Sequence, residues 1–317
     1  MTLSITSTVT LNNGLQMPVF GLGTWRSEPG KVKEAVEYAL KHGYRHIDAA
    51  HCYENQEEVG AGIKASGVPR GDVFVTTKLW NTHLRPDAAR ELFAQILSDL
   101  GLDYVDQLLI HWPCPFAKSA QLHPKGEDGA LQLDAGADLG ETWRAMEGFV
   151  ADGRCRSIGV SNCSEEQVKM FAEAGKIKPA TNQVEIQPYF NNAALAASCK
   201  SQGVHVVAYS PLGNYDPTKD LPSALKDPVI TDLAKKYSKS PAQVIIRWHL
   251  QNGETVIPKS VTPSRIVENS QVFDFELTAD EVAAIDALGA RNFRTCNPRY
   301  APGGALVWPN DTTVFDD

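Results

Sequence analysis

Four side chains in the first 111 residues have the types and spacing for proton-transfer chemistry: Asp48, Tyr53, Lys78 and His111. Asp48 falls at the end of one β-branched run, HIDAA (46–50), with Tyr53 in the loop just after it. Lys78 ends the next run, VFVTTKL (73–79), and His111 ends a third, YVDQLLIHW (104–112). Charged residues that point inward from strand ends need partners, and Lys78 beside Asp48 supplies one as an ion pair. A cation held near Tyr53 favours its phenolate and lowers its pKa from about 10, suiting it to proton transfer near neutral pH. His111 is then placed to donate a hydrogen bond to a substrate oxygen. Spacing alone leaves a structural alternative for each: a buried ion pair, rim packing for Tyr53, and a satisfied core histidine for His111. The usual phosphate-binding glycine motifs are missing, because GLGTWR (21–26) lacks the third glycine of G-x-G-x-x-G and no G-x-x-x-x-G-K-[ST] occurs.

The elements that must position these residues alternate along the chain. Strand-like runs at 18–25, 46–50, 73–79, 104–112, 155–162, 180–187, 204–211 and 254–260 are each followed by a helical stretch. Pro86 and Gly101 bracket one helix as a first-turn proline and a stop signal, and Ser164 and Gln167 stand at capping-box spacing. Repeated strand–helix units imply a parallel sheet, and eight in succession favour a closed (β/α)8 barrel over an open doubly wound sheet. TVTL-NNG-LQMP ahead of the first unit reads as a β-hairpin able to plug the barrel bottom. The whole chain, 1–317, reads as one domain. Long segments at 113–138 and 212–239, the latter containing a further helix at VITDLAKKYS, fall after barrel strands. They therefore belong on the C-terminal face, where active sites sit. LTADEVAAIDALG is a last helix, and the residues from about 295 to 317 form an aperiodic tail over that face.

Composition narrows the partners. With 43% hydrophobic and 21% charged residues the chain has a globular balance. Its 30 Lys and Arg against 38 Asp and Glu, net −8, argue against a nucleic-acid or anionic-membrane surface. No apolar run reaches the roughly 18 residues of a membrane span, and the N-terminus has no secretory pattern. Six scattered cysteines have no zinc-ligand spacing and suit reduced thiols in a cytoplasmic protein; no metal site is expected.

The sequence resembles the aldo-keto reductase superfamily, and within it the NADPH-dependent aldehyde reductases. The resemblance rests on GLGTW (21–25), YRHIDAAHCYENQEEVG (44–60), TTKLWNT (76–82), LGLDYVDQLLIHWP (100–113), IGVSN (158–162), NQVEIQPY (182–189), AYSPLG (208–213) and IPKSVTPSRIVEN (257–269). It implies a catalytic tetrad of Asp48, Tyr53, Lys78 and His111. Hydride would pass from a nicotinamide to a carbonyl carbon, Tyr53 acting as general acid. By the same resemblance Tyr209 stacks on the nicotinamide, with Thr24 and Trp25 beside it, and Ser161, Asn162 and Gln183 bond its carboxamide. Ser210, Leu212 and Gly213 line the pyrophosphate. Lys259, Ser260, Val261, Thr262 and Arg265 grip a 2′-phosphate, and Glu268 and Asn269 meet the adenine, so NADPH is expected over NADH. Lys259 and Arg265 flank a helix start, where free N–H groups and the dipole favour a phosphate.

Trp25, Trp80 and Trp112, with Tyr53 and His111, resemble the family's aromatic substrate pocket. SNC replaces the more usual SNF, which puts Cys163 beside the carboxamide site. The tail holds Arg294 and Arg299; an arginine there, Arg299 in particular, placed over the pocket would select carboxylate-bearing aldehydes such as uronates, and the alternative is that both are solvated tail charges. The expected protein is a monomer acting on a small carbonyl substrate. Two alternatives remain: a specialised sugar or uronate reductase of the same chemistry, and a non-catalytic cofactor-binding barrel.

Overall fold

The computed structural model describes residues 3–213, 221–300, 307 and 312–313. A hairpin comes first: β1 (Thr8–Thr10) pairs antiparallel with β2 (Gln16–Pro18), Thr8 opposite Pro18. Its turn is closed by Gly14 at φ 86°, a left-handed position that suits glycine. Eight parallel strands follow in spatial order identical to chain order: β3 (Leu22–Gly23), β4 (His46–Asp48), β5 (Phe74–Leu79), β6 (Gln107–Ile110), β7 (Ile158–Ser161), β8 (Thr181–Glu185), β9 (His205–Tyr209) and β10 (Thr255–Val256). Parallel bridges Phe20 to Val256 and Gly23 to Lys259 close the sheet on itself. The first and last strands are much shorter than their sequence runs suggest. Pro258 has no N–H to donate, and Gly23 meets the Ile257 carbonyl so closely that a Cβ would lie 2.9 Å from it. The seam is therefore made of bridges rather than a continuous ladder.

Helices return the chain between strands: α1 (Val32–Lys41), α2 (Gln56–Ser66), α3 (Pro86–Leu100), α4 (Leu139–Ala151), α5 (Glu165–Ala174) and α6 (Ala193–Ser201). Then come α7 (Pro228–Tyr237), α8 (Pro241–Gln251), α9 (Pro263–Ser270) and α10 (Ala279–Asp286). In α3, Pro86 occupies the first turn, Ala89, Leu92, Phe93, Ile96 and Leu100 bury one stripe, and Gly101 ends the helix at φ 61°. The Ser164–Gln167 capping box forms at the start of α5. The helix α7 lies in the second long segment, of which 214–220 is outside the described residues. The hairpin covers the N-terminal end of the barrel. Asn12 and Asn13 donate to the carbonyls of Pro179 and Arg156, and Leu11 and Met17 pack with Phe74, Ala180, Val207 and Ile257.

The barrel interior departs from the usual filling of branched apolar side chains. Side chains alternate along a strand, so the face that carries Asp48 and Lys78 also carries His46 and Thr76, which bond at 3.0 Å. The corresponding face of β9 carries His205, bonded to Thr255 at 2.9 Å. Gly21 and Gly159 make room, since a Cβ on either would meet His46 or Thr181 at 2.7 Å. Most branched side chains face outward against the helices, where Ile47, Val75, Leu108 and Val160 are fully buried, while Leu109 and Val207 share the interior with the polar groups.

Candidate active site

Each of the four expected residues reaches the C-terminal mouth of the barrel from a different support. Asp48 is the last residue of β4, Lys78 lies in β5 and His111 directly follows β6. Tyr53 ends a one-turn 3₁₀ helix, His51–Tyr53, that the left-handed Glu54 at φ 53° terminates. Asp48 and Lys78 are buried at 2% and 0% exposure. The Lys78 ammonium donates to Asp48 Oδ1 at 2.6 Å, to the Ala49 carbonyl at 2.9 Å and to Tyr53 Oη at 3.3 Å. Its three protons are thereby used. Because Tyr53 Oη accepts from Lys78, its own hydrogen is left for a group in the cavity. The other Asp48 oxygen accepts from Gln183 Nε2 at 2.7 Å.

The electrostatics correct one expectation. Lys78 does not make Tyr53 a phenolate: burial, reinforced by the negative charge of Asp48, pushes the phenol well above its usual value. Tyr53 is therefore a proton carrier at neutral pH. Burial, with Lys78 nearby, holds His111 well below the usual imidazole range, so its ring is neutral. His111 Nδ1 lies 3.4 Å from Cys52 Sγ, and its ring stands edge-on to Tyr53 and Trp80.

These side chains open on a cavity of about 570 Å³. One flank holds Asn162, Gln183 and Tyr209, the Tyr209 hydroxyl donating to Asn162 Oδ1 at 2.7 Å. Asn162 and Ser210 both take left-handed backbone conformations, φ 58° and 46°, which re-aim the chain at the ends of β7 and β9. Gln183 Oε1 makes no hydrogen bond among the described residues and remains an acceptor. Ser161 lies beneath, its hydroxyl bonded to the Gln183 carbonyl at 2.7 Å, and Cys163 is fully buried away from the lining. Ser210, Leu212 and Gly213 continue the wall, with Thr24 and Trp25 across from them. At the far end lie Lys259 and Arg265, joined by Arg26, which stacks on Trp25 at 4.4 Å. Lys259 donates to the Arg26 carbonyl at 2.9 Å, whereas Arg265, in the first turn of α9, makes no ion pair among the described residues. Ser260, Val261 and Thr262 form the turn into α9, and Glu268 and Asn269 lie along it, all outside the cavity lining.

The other end of the cavity is aromatic. Trp80 and Trp112 line it as expected. Arg299 does not: it is exposed and outside the lining. Tyr300, the next residue along the chain, points inward instead, edge-on to Trp80, Trp112 and Phe116 and bonded to His123 at 2.8 Å. Arg294 is buried over the Phe190 ring rather than above the pocket. The tail beyond Tyr300 lies largely outside the described residues.

Glu185 went unnoticed in the sequence, although it continues the inward alternation of Thr181 and Gln183. Its buried carboxylate accepts from the Thr295 amide and hydroxyl and from the Cys296 amide, each at 2.8 Å. This latch holds the segment that brings Cys296 and Tyr300 to the cavity. Glu185→Ala leaves two buried N–H groups unpaired, which costs about 1–3 kcal/mol each. It is expected to loosen that segment, read as faster hydrogen exchange at the Thr295 and Cys296 amides with the barrel strands unchanged. Unchanged exchange at those two amides would remove Glu185 from holding the segment.

The barrel mouth thus holds a buried ion pair behind a protonated phenol, a neutral imidazole beside it and cations further along the cavity. Comparison with known proteins gives the class to which such a barrel belongs. The aldo/keto reductase family profile matches residues 19–290. Aldo-keto reductase family 1 member A1-A of Danio rerio is 45% identical over 312 residues, covering 96% of each chain. Aldo-keto reductase family 1 member A1 of Rattus norvegicus is 43% identical, covering 96% of this chain and 95% of its own. An aldose reductase structure from Schistosoma japonicum superposes with a TM-score of 0.83 at 41% identity, over 88% of this chain and 91% of that one. The chain belongs to the aldo/keto reductase family, whose members are oxidoreductases of carbonyl compounds that generally use a nicotinamide cofactor. Among the described residues no cluster of His, Cys, Asp or Glu can hold a metal ion, and no helix is long and apolar enough to cross a membrane.

Proposed function

We propose that the protein is an NADPH-dependent reductase of aldehydes and some ketones, with Tyr53 as the general acid. The observation that carries this reading is the Lys78 ammonium, whose three donors are directed to Asp48, Ala49 and Tyr53. They leave the Tyr53 hydroxyl hydrogen as the proton facing the cavity. The donor set also fits the cofactor. Gln183 Oε1 and the Tyr209 ring suit a carboxamide-bearing ring, with Ser161, Asn162, Thr24 and Trp25 around it. Ser210, Leu212 and Gly213 would hold the pyrophosphate. Arg265 and Lys259, with Ser260, Val261 and Thr262 at the start of α9, would hold a 2′-phosphate, and Glu268 and Asn269 the adenine. When bound, the reduced nicotinamide supplies a hydride equivalent to the carbonyl carbon.

The chain's own residues do the rest. Tyr53 gives its proton to the carbonyl oxygen as charge builds there, and the Lys78 ammonium, itself held by Asp48, pairs the resulting phenolate. His111 orients the carbonyl, while Trp25, Trp80, Trp112 and Tyr300 exclude water and favour ring-bearing or medium-chain aldehydes. The whole chain acts as one barrel, a monomer, and its six cysteines, none in a disulfide, suit a reducing cytoplasm.

Following NADPH oxidation at 340 nm with p-nitrobenzaldehyde, DL-glyceraldehyde, D-glucuronate and D-xylose tests this. Turnover with an aromatic aldehyde supports the reading, and no turnover of any of them overturns it. Arg265→Ala is expected to raise the KM for NADPH about tenfold or more, as for loss of a charged hydrogen bond, with the KM for NADH nearly constant. An unchanged preference ratio would move the 2′-phosphate site elsewhere.

A further inference from the structure

We propose that Cys52 is a positioning residue: its thiol donates to His111 Nδ1 and so fixes the His111 tautomer whose Nε2–H faces the substrate. The inference rests on the reductase reading above, but its central observation is independent of it.

A neutral imidazole has one N–H and one lone pair. Whether His111 offers the cavity a donor or an acceptor is therefore decided by its other nitrogen. Both Cys52 and His111 line the cavity. His111 Nδ1 lies 3.4 Å from Cys52 Sγ, and Nε2 has no hydrogen-bond partner among the described residues. Two arrangements satisfy this contact. In one, the thiol donates to the Nδ1 lone pair, and the ring proton sits on Nε2. In the other, Nδ1–H donates to sulfur, a weak acceptor, and Nε2 presents a lone pair to the cavity. A carbonyl oxygen has only lone pairs to offer, so the second arrangement sets two acceptors against each other. Tyr53 supplies one hydrogen to that oxygen, and the Nε2–H tautomer supplies a second from a different direction.

His111 has few means of escaping this choice. Its ring is held edge-on between Tyr53 and Trp80, with centroids 5.7 and 5.3 Å away, so a ring flip would have to displace packed aromatics. Protonation, which would put a hydrogen on both nitrogens, is disfavoured by burial and by Lys78. The contact is also stiffly built. Cys52 lies between His51 and Tyr53 in the 3₁₀ turn whose backbone is pinned by Tyr53 N to the Ala50 carbonyl at 3.2 Å. The same turn therefore carries the proton donor and the group that orients its histidine partner.

Cys52→Val removes the donor and keeps the size, whereas Cys52→Ser keeps a donor. Side-chain ¹⁵N spectra of histidine-labelled protein, assigned with His111→Gln, report the tautomer directly. Wild type and Cys52→Ser are expected to show the Nε2–H pattern, and Cys52→Val a shift towards Nδ1–H or a mixture. With p-nitrobenzaldehyde and NADPH, Cys52→Val should lower kcat about 10- to 100-fold, the scale of losing one aimed donor, with a smaller change in KM. Cys52→Ser should recover most of that loss. A Cys52→Val protein that keeps the wild-type Nε2–H pattern overturns the proposal, as does a serine variant as impaired as the valine one. If wild type turns over no aldehyde, the reductase reading falls, while the ¹⁵N pattern still decides what Cys52 does to His111.

Discussion

Tyr53→Phe is expected to lower kcat for aldehyde reduction by about 10²- to 10⁴-fold, the range for losing a positioned general acid, while NADPH still quenches tryptophan fluorescence. The substitution removes one oxygen. It leaves the ring edge-on to His111 and leaves Lys78 with Asp48 and Ala49 as partners, so the barrel and the cofactor groove stay built. Trp25, Trp80 and Trp112 all line the cavity, which makes quenching a direct readout of occupancy. The pH dependence follows from the same geometry. Burial and Asp48 push the Tyr53 phenol up, and burial and Lys78 push the His111 imidazole down. The acid is then protonated and the imidazole neutral throughout about pH 6.5–10, the interval between their ordinary values. Reduction should show no limb in that interval from either group. Alcohol oxidation, which needs the phenolate, should quicken as pH rises. Full activity in Tyr53→Phe would remove the tyrosine from the chemical step.

Much of this architecture was legible because period and position are local properties. Eight strand–helix alternations, the capping box at Ser164 and the stop at Gly101 require only neighbouring residues to agree, and the structure has them all. The convergence of Asp48, Lys78 and His111 followed from strand ends in a parallel barrel having to meet at one mouth. What escaped was set by burial and by contacts distant in sequence. Spacing put a cation near Tyr53 but did not weigh desolvation and Asp48 against it, so the direction of the pKa shift came out reversed. The choice between Arg299 and Tyr300 depended on Trp80, Trp112, Phe116 and His123 gathering across the pocket, and an aperiodic tail carries no signal of that. The Glu185 latch and the polar interior were within reach of a period-two reading. Alternation from Asp48 leads to His46, from Lys78 to Thr76, and from Gln183 to Thr181 and Glu185.

That polar interior makes the protein acid-sensitive well above the range where ordinary carboxylates titrate. His46 is fully buried and its pKa is lowered to about 3 by burial and by Lys78; burial lowers His205 to about 4. In the unfolded chain both return to about 6.5. Between those values the unfolded state carries a proton that the folded state refuses, so stability rises with pH through the window and falls as pH drops below about 6.5. Each histidine contributes up to about 1.4 kcal/mol per pH unit, and the pair about 2.7 until His205 begins to titrate in the fold. Glu185, whose buried carboxyl is shifted upward, gains stability on acidification and offsets part of this. A loss of a few kcal/mol by pH 5 is large against a net stability of about 5–15 kcal/mol, and urea midpoints at pH 7 and pH 5 would measure it. His46→Gln retains a donor for Thr76 but cannot ionise, so it should reduce the difference between the two midpoints by about a third, since His111, also held well below the usual imidazole range, adds a like share to those of His46 and His205. Any constant cost of repacking against Gly21 drops out of that comparison. An unaltered difference in the variant would mean that His46 takes up its proton in the folded barrel, and that the core tolerates the charge.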